Sequence, residues 1–368
     1  MPHFNIVRES KPKNTFRVQY VMGTYDLQTD NIVERFEGGV DIPEKWNVGL
    51  IVGKSGSGKT TIAKELFSDF LITNFEYTHD TILDDMPKDV SMNDICMALN
   101  SVGFSSPPSW LKPYSVLSNG EKMRCDIARA MLESKEMFVF DEFTSVVDRN
   151  VAQIGSLALQ KAIRRSNKKF IAVTCHYDIE EWIMPDWVFC TDDMTFRTVD
   201  AETQKKNKPK LKLEIYETKE KEYYWRMFRK YHYLSHSFNK AARVFLCTCN
   251  GELCGFCAAL PFPHPLKKNT WKGHRTVVFP DYQGVGIGRN FTNYIAEIFK
   301  SEGKTYISTT SNPSMIFARK NDPLWITTHI GRTSRGSENG KIQNKHKLGS
   351  TSSNRITVSF EYIGECKR

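Results

Sequence analysis

A chain of 368 residues is long enough for two hydrophobic cores, and 40% hydrophobic with 25% charged residues is ordinary for a globular protein. No run of about 18 apolar residues occurs, which excludes a helical membrane span from the reading. The formal charge of +9 is unevenly spread: residues 1–200 hold 22 Lys+Arg against 29 Asp+Glu, a net of −7, whereas residues 201–368 hold 29 against 13, a net of +16. Such a split implies that the second half meets an anion, either a small polyanionic cofactor or a macromolecule such as nucleic acid.

The opening residues, MPHFNIVRESKPKN, lack the apolar core of a signal peptide. A cytoplasmic address is therefore expected, with the nine cysteines reduced. Strand-like VGLIVG, a helix from Thr60, strand-like MFVF, a long helical stretch from Asn150 and strand-like FIAVTC follow in order. This alternation predicts an α/β domain over residues 1–200 with a mostly parallel sheet. The polar, basic AETQKKNKPKLK, residues 201–212, reads as a linker.

Beyond it, residues 213–368 form a second domain: a helix near 218–230, then VFLCTCNGELCGFCAAL, whose Asn250-Gly251 predicts a hairpin. TVVF, the helix-like RNFTNYIAEIFKSEG, TYISTTS and RITVSFEYIG complete an α+β pattern. Residues 331–354, rich in Ser, Gly, Lys and Asn, read as a mobile loop.

Two glycine-rich turns dominate the chemistry. The first, Gly53-Lys54-Ser55-Gly56-Ser57-Gly58-Lys59-Thr60-Thr61, stands between a strand and a helix and fits GxxxxGK[ST]. Backbone N–H groups of such a loop wrap phosphates, Lys59 reaches the β/γ oxygens and the Thr60 hydroxyl takes Mg²⁺. The strand MFVF ends in Asp141 and Glu142. The first carboxylate can hold Mg²⁺ and the second can orient or deprotonate the attacking water.

Between these elements, Leu117-Ser118-Asn119-Gly120-Glu121 opens a helical pattern, Thr144-Ser145-Val146-Val147-Asp148 follows the acidic pair, and His176 follows FIAVTC. In this order the elements resemble the ABC-type ATPases over residues 50–180. The resemblance implies a signature motif at Ser118 and Gly120, a D-loop at 144–148, a switch histidine at His176 and a homodimer sandwiching two ATP molecules. Ser118 and Gly120 of one subunit would then complete the site built on Lys59 of the other. The chain departs from the family in two respects. No glutamine lies between Thr61 and Leu117, so the Q-loop residue is missing and Asp84 or Asp85 stands near its place. The span from Lys59 to Ser118 leaves little room for the helical arm that contacts a membrane partner, which disfavours transport. The adenine-stacking aromatic is Phe36 or Trp46, a choice the sequence leaves open.

The second turn, Gln283-Gly284-Val285-Gly286-Ile287-Gly288, lacks the GK[ST] ending and does not space its glycines as GxGxxG does. It lies between strand-like TVVF and a helix beginning near Arg289, so its N–H groups can face a pyrophosphate at a helix N-terminus. This Q-x-x-G-x-G pattern resembles motif A of the GNAT acyltransferases, which implies acetyl-CoA or another acyl-CoA as ligand over residues 213–368, with backbone groups near Val278 and Phe279 pairing with its pantetheine amides. Many members of that family use a tyrosine in the helix after the fifth strand, where this chain has Phe317. The crowded YHYLSHS, residues 231–237, is then the expected source of an acid or base, with His232 and Tyr233 ahead.

Cys247, Cys249, Cys254 and Cys257 have a spacing that suggests zinc. A regular hairpin turned at Asn250-Gly251 would place Cys257 on the opposite face from the other three, so buried core cysteines are expected instead. The combined reading is an ATP-dependent acyltransferase resembling the ABC–GNAT fusion proteins, with DNA or RNA as a candidate acceptor and no membrane partner. Its alternatives are an ATPase switch whose second domain only senses acyl-CoA, and an acetyltransferase for proteins or small molecules.

Overall fold

A computed structural model describes residues 3–27, 32–72, 75–206, 209–232, 237–263, 267–332 and 356–364. The chain forms two compact units. The first comprises Met1–Thr78, Asp85–Ala98 and Ser118–Pro209; the second comprises His79–Asp84, Leu99–Leu117 and Lys210–Arg368. The long break falls inside the stretch read as a linker, of which Ala201–Lys206 is helical and begun by Asp200, whose carboxylate accepts from the Thr203 N–H at 2.7 Å.

In the first unit, β1 (His3–Ser10) and β2 (Ile32–Gly39) form an antiparallel pair. β3 (Val48–Val52), β4 (Met137–Phe140), β5 (Lys169–Thr174), β6 (Trp187–Cys190) and β7 (Thr195–Thr198) form a sheet of order β4-β5-β3-β6-β7. All of its pairs are parallel except β6–β7. Every residue of β3 is buried, as expected of a central parallel strand covered on both faces. Gly49 leaves room for the Trp187 indole, which packs edge-on against Trp46. Asp186 accepts from the Asn47 and Val48 N–H groups and from Arg164, tying the start of β3 to β6. Burial alone would raise its carboxyl, but these donors hold it below the usual range.

The second unit carries β8 (Leu213–Thr218), β9 (Arg243–Cys249), β10 (Glu252–Pro261), β11 (Thr270–Val278), β12 (Thr305–Thr310), β13 (Trp325–Arg332) and β14 (Ile356–Tyr362). They form one sheet of order β13-β14-β12-β11-β10-β9-β8. Trp225 and Phe228 of the helix Lys221–Phe228 are buried with Val244, Leu246, Phe256 and Val277 in one core cluster. The helix Ile287–Ser301 supplies buried Phe291, Ile295 and Phe299, the last against Phe245 and Tyr306. Of the segment 331–354, Gly331 and Arg332 end β13, and residues 333–354 lie outside the described residues.

The β9–β10 hairpin turns on Asn250 (φ 51°) and Gly251 (φ 88°), the two left-handed residues that a type I′ turn requires. Its register corrects the expected placing of the cysteines. A bulge between Leu253 and Gly255 sets Cys247 opposite Gly255 and Cys257 opposite Phe245. One extra residue reverses the faces beyond it, so Cys257 shares the face of Cys247. Cys257 is completely enclosed and lies 3.3 Å from Thr276 Oγ1. Among the described residues, no group of three or more His, Cys, Asp or Glu side chains is arranged to hold a metal ion.

Candidate functional sites

The first turn hangs between buried β3 and the helix Lys59–Phe67. Lys54, Ser55 and Gly56 are exposed, Ser57 is half-buried, and Gly58 leaves room for the Phe36 ring. The Lys59 side chain folds back so that Nζ donates to the Lys54 carbonyl at 2.6 Å. Ser57 Oγ also reaches that carbonyl, at 2.8 Å, and lies 2.5 Å from Thr191 Oγ1. Thr60 and Thr61 are half-buried in the first turn of the helix. The exposed amides at a helix N-terminus, with a lysine inside the loop, fit a triphosphate. Thr60 and Asp141 carry the oxygen ligands suited to Mg²⁺.

Asp141, half-buried, follows β4, and its Oδ1 accepts from the Glu142 N–H at 2.9 Å. Glu142 is exposed at φ 55°, and Thr144 follows at φ 65°. Each costs about 1–2 kcal/mol relative to an ordinary conformation. The turn is held by Phe143, whose N–H reaches the Val173 carbonyl, and by Ser145 Oγ, which donates to Glu142 Oε2 at 2.6 Å. His176, half-buried after β5, donates its N–H to Thr174 Oγ1. The adjacent Tyr177 hydroxyl donates to Asp192, which also accepts from the Lys54 N–H at 2.8 Å. Asp192 was not singled out by the sequence; it ties the loop after β5 to the phosphate turn. The Tyr177 hydroxyl first, then the Lys54 N–H, hold its carboxyl below the usual range.

Ser118 is exposed at the N-cap of the helix Asn119–Leu132 and closes a capping box with Glu121. The Glu121 carboxylate accepts from the Ser118 N–H at 3.0 Å, and Ser118 Oγ accepts from the Glu121 N–H at 3.3 Å. Gly120 is buried in the first turn. Neither candidate adenine-stacking ring faces outward: Phe36 and Trp46 are both core residues. Asp85 is buried and accepts from the Thr78 N–H, whereas Asp84 accepts from Thr81 Oγ1.

The second turn connects β11 to the helix Ile287–Ser301. Gly286, at φ 96°, is its N-cap, and a side chain there would meet nothing within 4 Å, so the turn is open on that side. β11 and β12 pair only at Thr270–Lys272 with Thr305–Ile307. β12 then continues on β14 and β11 on β10. The two strands thus part, leaving a β11 edge with no β12 partner from Gly273 onward, directly below the glycine turn. An extended chain bearing amides can pair with such an edge, while a pyrophosphate meets the helix N-terminus.

This location differs from the expectation at Val278 and Phe279. Gln283 Nε2 already donates to the Val278 carbonyl at 2.8 Å, and the Phe279 N–H donates to the Cys254 carbonyl at 2.9 Å. Gln283 Oε1 in turn accepts from the Ser105 N–H. Val285, Ile287 and Gly288 complete the turn, with Ile287 buried. Arg289 pairs with buried Asp322 at 2.8 Å while its guanidinium stays about half exposed. Burial would raise Asp322, but Arg289, Asn293 and the Leu324 N–H outweigh it and hold the carboxyl below the usual range.

His232 is buried and sits edge-on to Trp225, in the core rather than in an open loop. Tyr233 lies outside the described residues. Phe317 is 69% exposed on the helix Pro313–Lys320. The sequence missed His274, which occupies a bulge in β11 with its Nε2 shut from solvent and without a hydrogen-bond partner among the described residues. Nothing in WKGHRTVVF signals that bulge.

In element order these features resemble an ABC-type ATPase cassette followed by a GNAT-type acetyltransferase domain. Residues 202–320, about a third of the chain, match the Acetyltransferase (GNAT) family model. The chain is 28% identical over 179 residues to mRNA export factor elf1 of Schizosaccharomyces pombe, covering 42% of this chain and 16% of that protein. It is 29% identical over 126 residues to the spermidine/putrescine import ATP-binding protein PotA of Borrelia garinii subsp. bavariensis, covering 34% of this chain and 35% of that one. The chain therefore spans only a minor part of either relative's length. A Bacillus subtilis acetyltransferase in complex with CoA aligns at 16% identity and a TM-score of 0.32, covering 41% of this chain and 98% of the other. No described helix is long and apolar enough to cross a membrane.

Proposed function

We propose that the chain is an ATP-dependent acyltransferase that moves an acyl group, acetyl in the first instance, from acyl-CoA to an amine on a macromolecule. The observation that carries the reading is the parting of β11 and β12 below an open glycine turn, inside the segment that matches an acetyltransferase family. The β11 edge would bind the pantetheine amides, and the amides of Gly284 to Gly288, helped by Arg289, would hold the pyrophosphate. That arrangement presents the thioester to an amine whose nitrogen attacks the carbonyl carbon. The C–S bond breaks, CoA leaves as its thiol, and an amide remains.

In the ATPase unit, Lys54 to Thr61 would bind ATP, Lys59 would lie on the β/γ phosphates, and Thr60 and Asp141 would hold Mg²⁺. Glu142 would orient or deprotonate the attacking water, with His176 beside the γ-phosphate. Ser118 and the helix N-terminus behind it would complete the site on a second copy, making a nucleotide-closed homodimer. Closure on ATP and release after hydrolysis give two states by which a macromolecular acceptor is held and let go.

The acceptor class follows from charge. The net of +16 over residues 201–368 favours a nucleic acid. A base amine is poorly reached inside a duplex, so an energy-driven clamp that distorts the substrate makes physical sense. The acyl-CoA sensor reading draws on Phe317, which stands where many acetyltransferases of this family carry a tyrosine.

The test is ATP hydrolysis by the purified full chain, with and without acetyl-CoA and with DNA or tRNA. Stimulation by nucleic acid, falling steeply with salt, is expected. Hydrolysis that responds to acetyl-CoA alone would favour the sensor.

A further inference from the structure

β11 is interrupted at one position. Arg275 lies opposite Ala258 and Gly273 opposite Ala259, so His274 is the extra residue of a bulge and has no cross-strand partner. A bulge re-aims side chains, and two contacts show where these point. The His274 ring lies 6.0 Å from the ring of Phe238, and Arg275 Nη2 donates to the Ser237 carbonyl at 3.1 Å. Both side chains thus face the end of the segment after the helix Lys221–Phe228. His274 also stands only two residues past Lys272, the last β11 residue paired to β12. Four residues of strand, roughly 13 Å at about 3.3 Å each, separate it from Val278 below the glycine turn.

The His274 Nε2 atom is shut from solvent and has no hydrogen-bond partner among the described residues. A buried polar atom left unpaired costs about 1–3 kcal/mol. Native proteins avoid this unless a ligand, a water or a function supplies the partner. Burial first, and the Arg275 charge second, push the imidazole down to about 4, so it is neutral at physiological pH. A neutral imidazole has one nitrogen free to accept a proton. Of the two side chains the sequence offered for this role, His232 is packed in the aromatic core and Tyr233 lies outside the described residues.

We propose that His274 is the catalytic base, which takes a proton from the acceptor's ammonium and so frees the nitrogen lone pair to bond to the thioester carbon. The C–N bond forms as the C–S bond breaks; the electron pair of the broken bond leaves on the CoA sulfur, which takes the second proton shed by the nitrogen and departs as the thiol, while the first proton resides on the imidazole until solvent removes it. The acceptor class is an aliphatic primary amine, cationic in water, which is why a base is needed; on a nucleic acid it would be carried by a modified base. An entering amine gives the orphaned imidazole the hydrogen-bond partner it lacks. This inference rests on the acyltransferase reading above.

The test uses the full chain with acetyl-CoA and two small nucleophiles, a simple primary alkylamine at high concentration and hydroxylamine, followed by CoA thiol release. His274→Ala and His274→Gln are compared with the unaltered chain. Both variants should still bind acetyl-CoA and lose about 10²-fold or more in kcat toward the alkylamine. Both should keep most of their rate toward hydroxylamine, which is already unprotonated at neutral pH. Added imidazole should restore part of the His274→Ala rate. Alkylamine rates within a few-fold of the unaltered chain, in either variant, would overturn the assignment. So would equal losses toward both nucleophiles without rescue, which would mark a packing residue. If the unaltered chain binds acetyl-CoA but acylates neither nucleophile, the acyltransferase reading itself falls and takes this inference with it.

Discussion

The backbone N–H of Ser105 donates to Gln283 Oε1 at 2.9 Å, while Nε2 of the same glutamine donates to the Val278 carbonyl at 2.8 Å. The residue that heads the second glycine turn is thus a strut between a strand end and a neighbouring loop. That loop comes from Leu99–Leu117, which precedes Ser118 in the chain yet belongs to the second unit with Lys210–Arg368. It is anchored by fully buried Phe104, whose carbonyl accepts from Trp110 Nε1 at 2.8 Å.

Gln283→Ala removes both bonds and should weaken acetyl-CoA binding up to about tenfold, since each bond is worth about 0.5–1.5 kcal/mol. Gln283→Glu keeps the acceptor for Ser105 but sets a carboxylate against the Val278 carbonyl and beside the pyrophosphate position. It should weaken binding further than alanine does. Titration of each variant with acetyl-CoA decides the order, and equal affinities would mean that Gln283 does not shape the turn.

Gly103 lies at φ 83°, and a Cβ there would come within 2.6 Å of the Gln283 carbonyl oxygen. Gly103→Ala should therefore cost more than the roughly 1–2 kcal/mol of the left-handed conformation alone. Gly286→Ala, at φ 96° with open space, should cost only that conformational part. Urea unfolding of the two variants side by side measures the difference.

In the ATPase unit, Glu142→Gln should slow hydrolysis by about 10²-fold or more while ATP still binds, and the closed homodimer should accumulate. Sedimentation with ATP reads the dimer directly. Ser118→Ala should lose about 1 kcal/mol through the broken capping box as well as hydrolysis. Ser118→Asp keeps a cap, so it should retain stability and still lose hydrolysis by repelling the partner's nucleotide. Normal hydrolysis in Ser118→Asp would contradict the head-to-tail arrangement.

His274 also predicts a pH dependence of stability. Its imidazole sits at about 4 in the folded chain against an ordinary 6.5. Above pH 6.5 neither state is protonated there; between 6.5 and 4 only the unfolded chain takes up the proton. Stability should therefore fall as pH drops through that window, then level off for this group. His274→Gln should flatten the slope between pH 7 and 5 in urea midpoints. Asp186 and Asp322 are held below the ordinary 3.8, so their contributions are lost only at lower pH.

What was legible in the sequence is what short stretches of backbone dictate. The turn at Lys54–Thr60, the acidic pair after β4, the Asn250-Gly251 hairpin and the turn at Gly284–Gly288 each need particular residues at fixed spacing. The unread features depend on register and packing. One inserted residue in β10 moved Cys257 to the other face, and another in β11 turned His274 out of the ladder; neither has a local signature. Asp192 acts through Lys54 and Tyr177, which are distant in sequence, and Leu99–Leu117 joins the second unit through contacts with Gln283 that no composition reveals. Phe36 and Trp46 were plausible stacking rings until tertiary packing enclosed them.

The most direct measurement follows a labelled acetyl group from acetyl-CoA, in the presence of ATP, into nucleic acid or protein. Label in the nucleic acid fraction, dependent on ATP and absent from the Lys59→Ala variant, is the predicted result. Tight acetyl-CoA binding with no label transferred to any acceptor, with or without ATP, would contradict it.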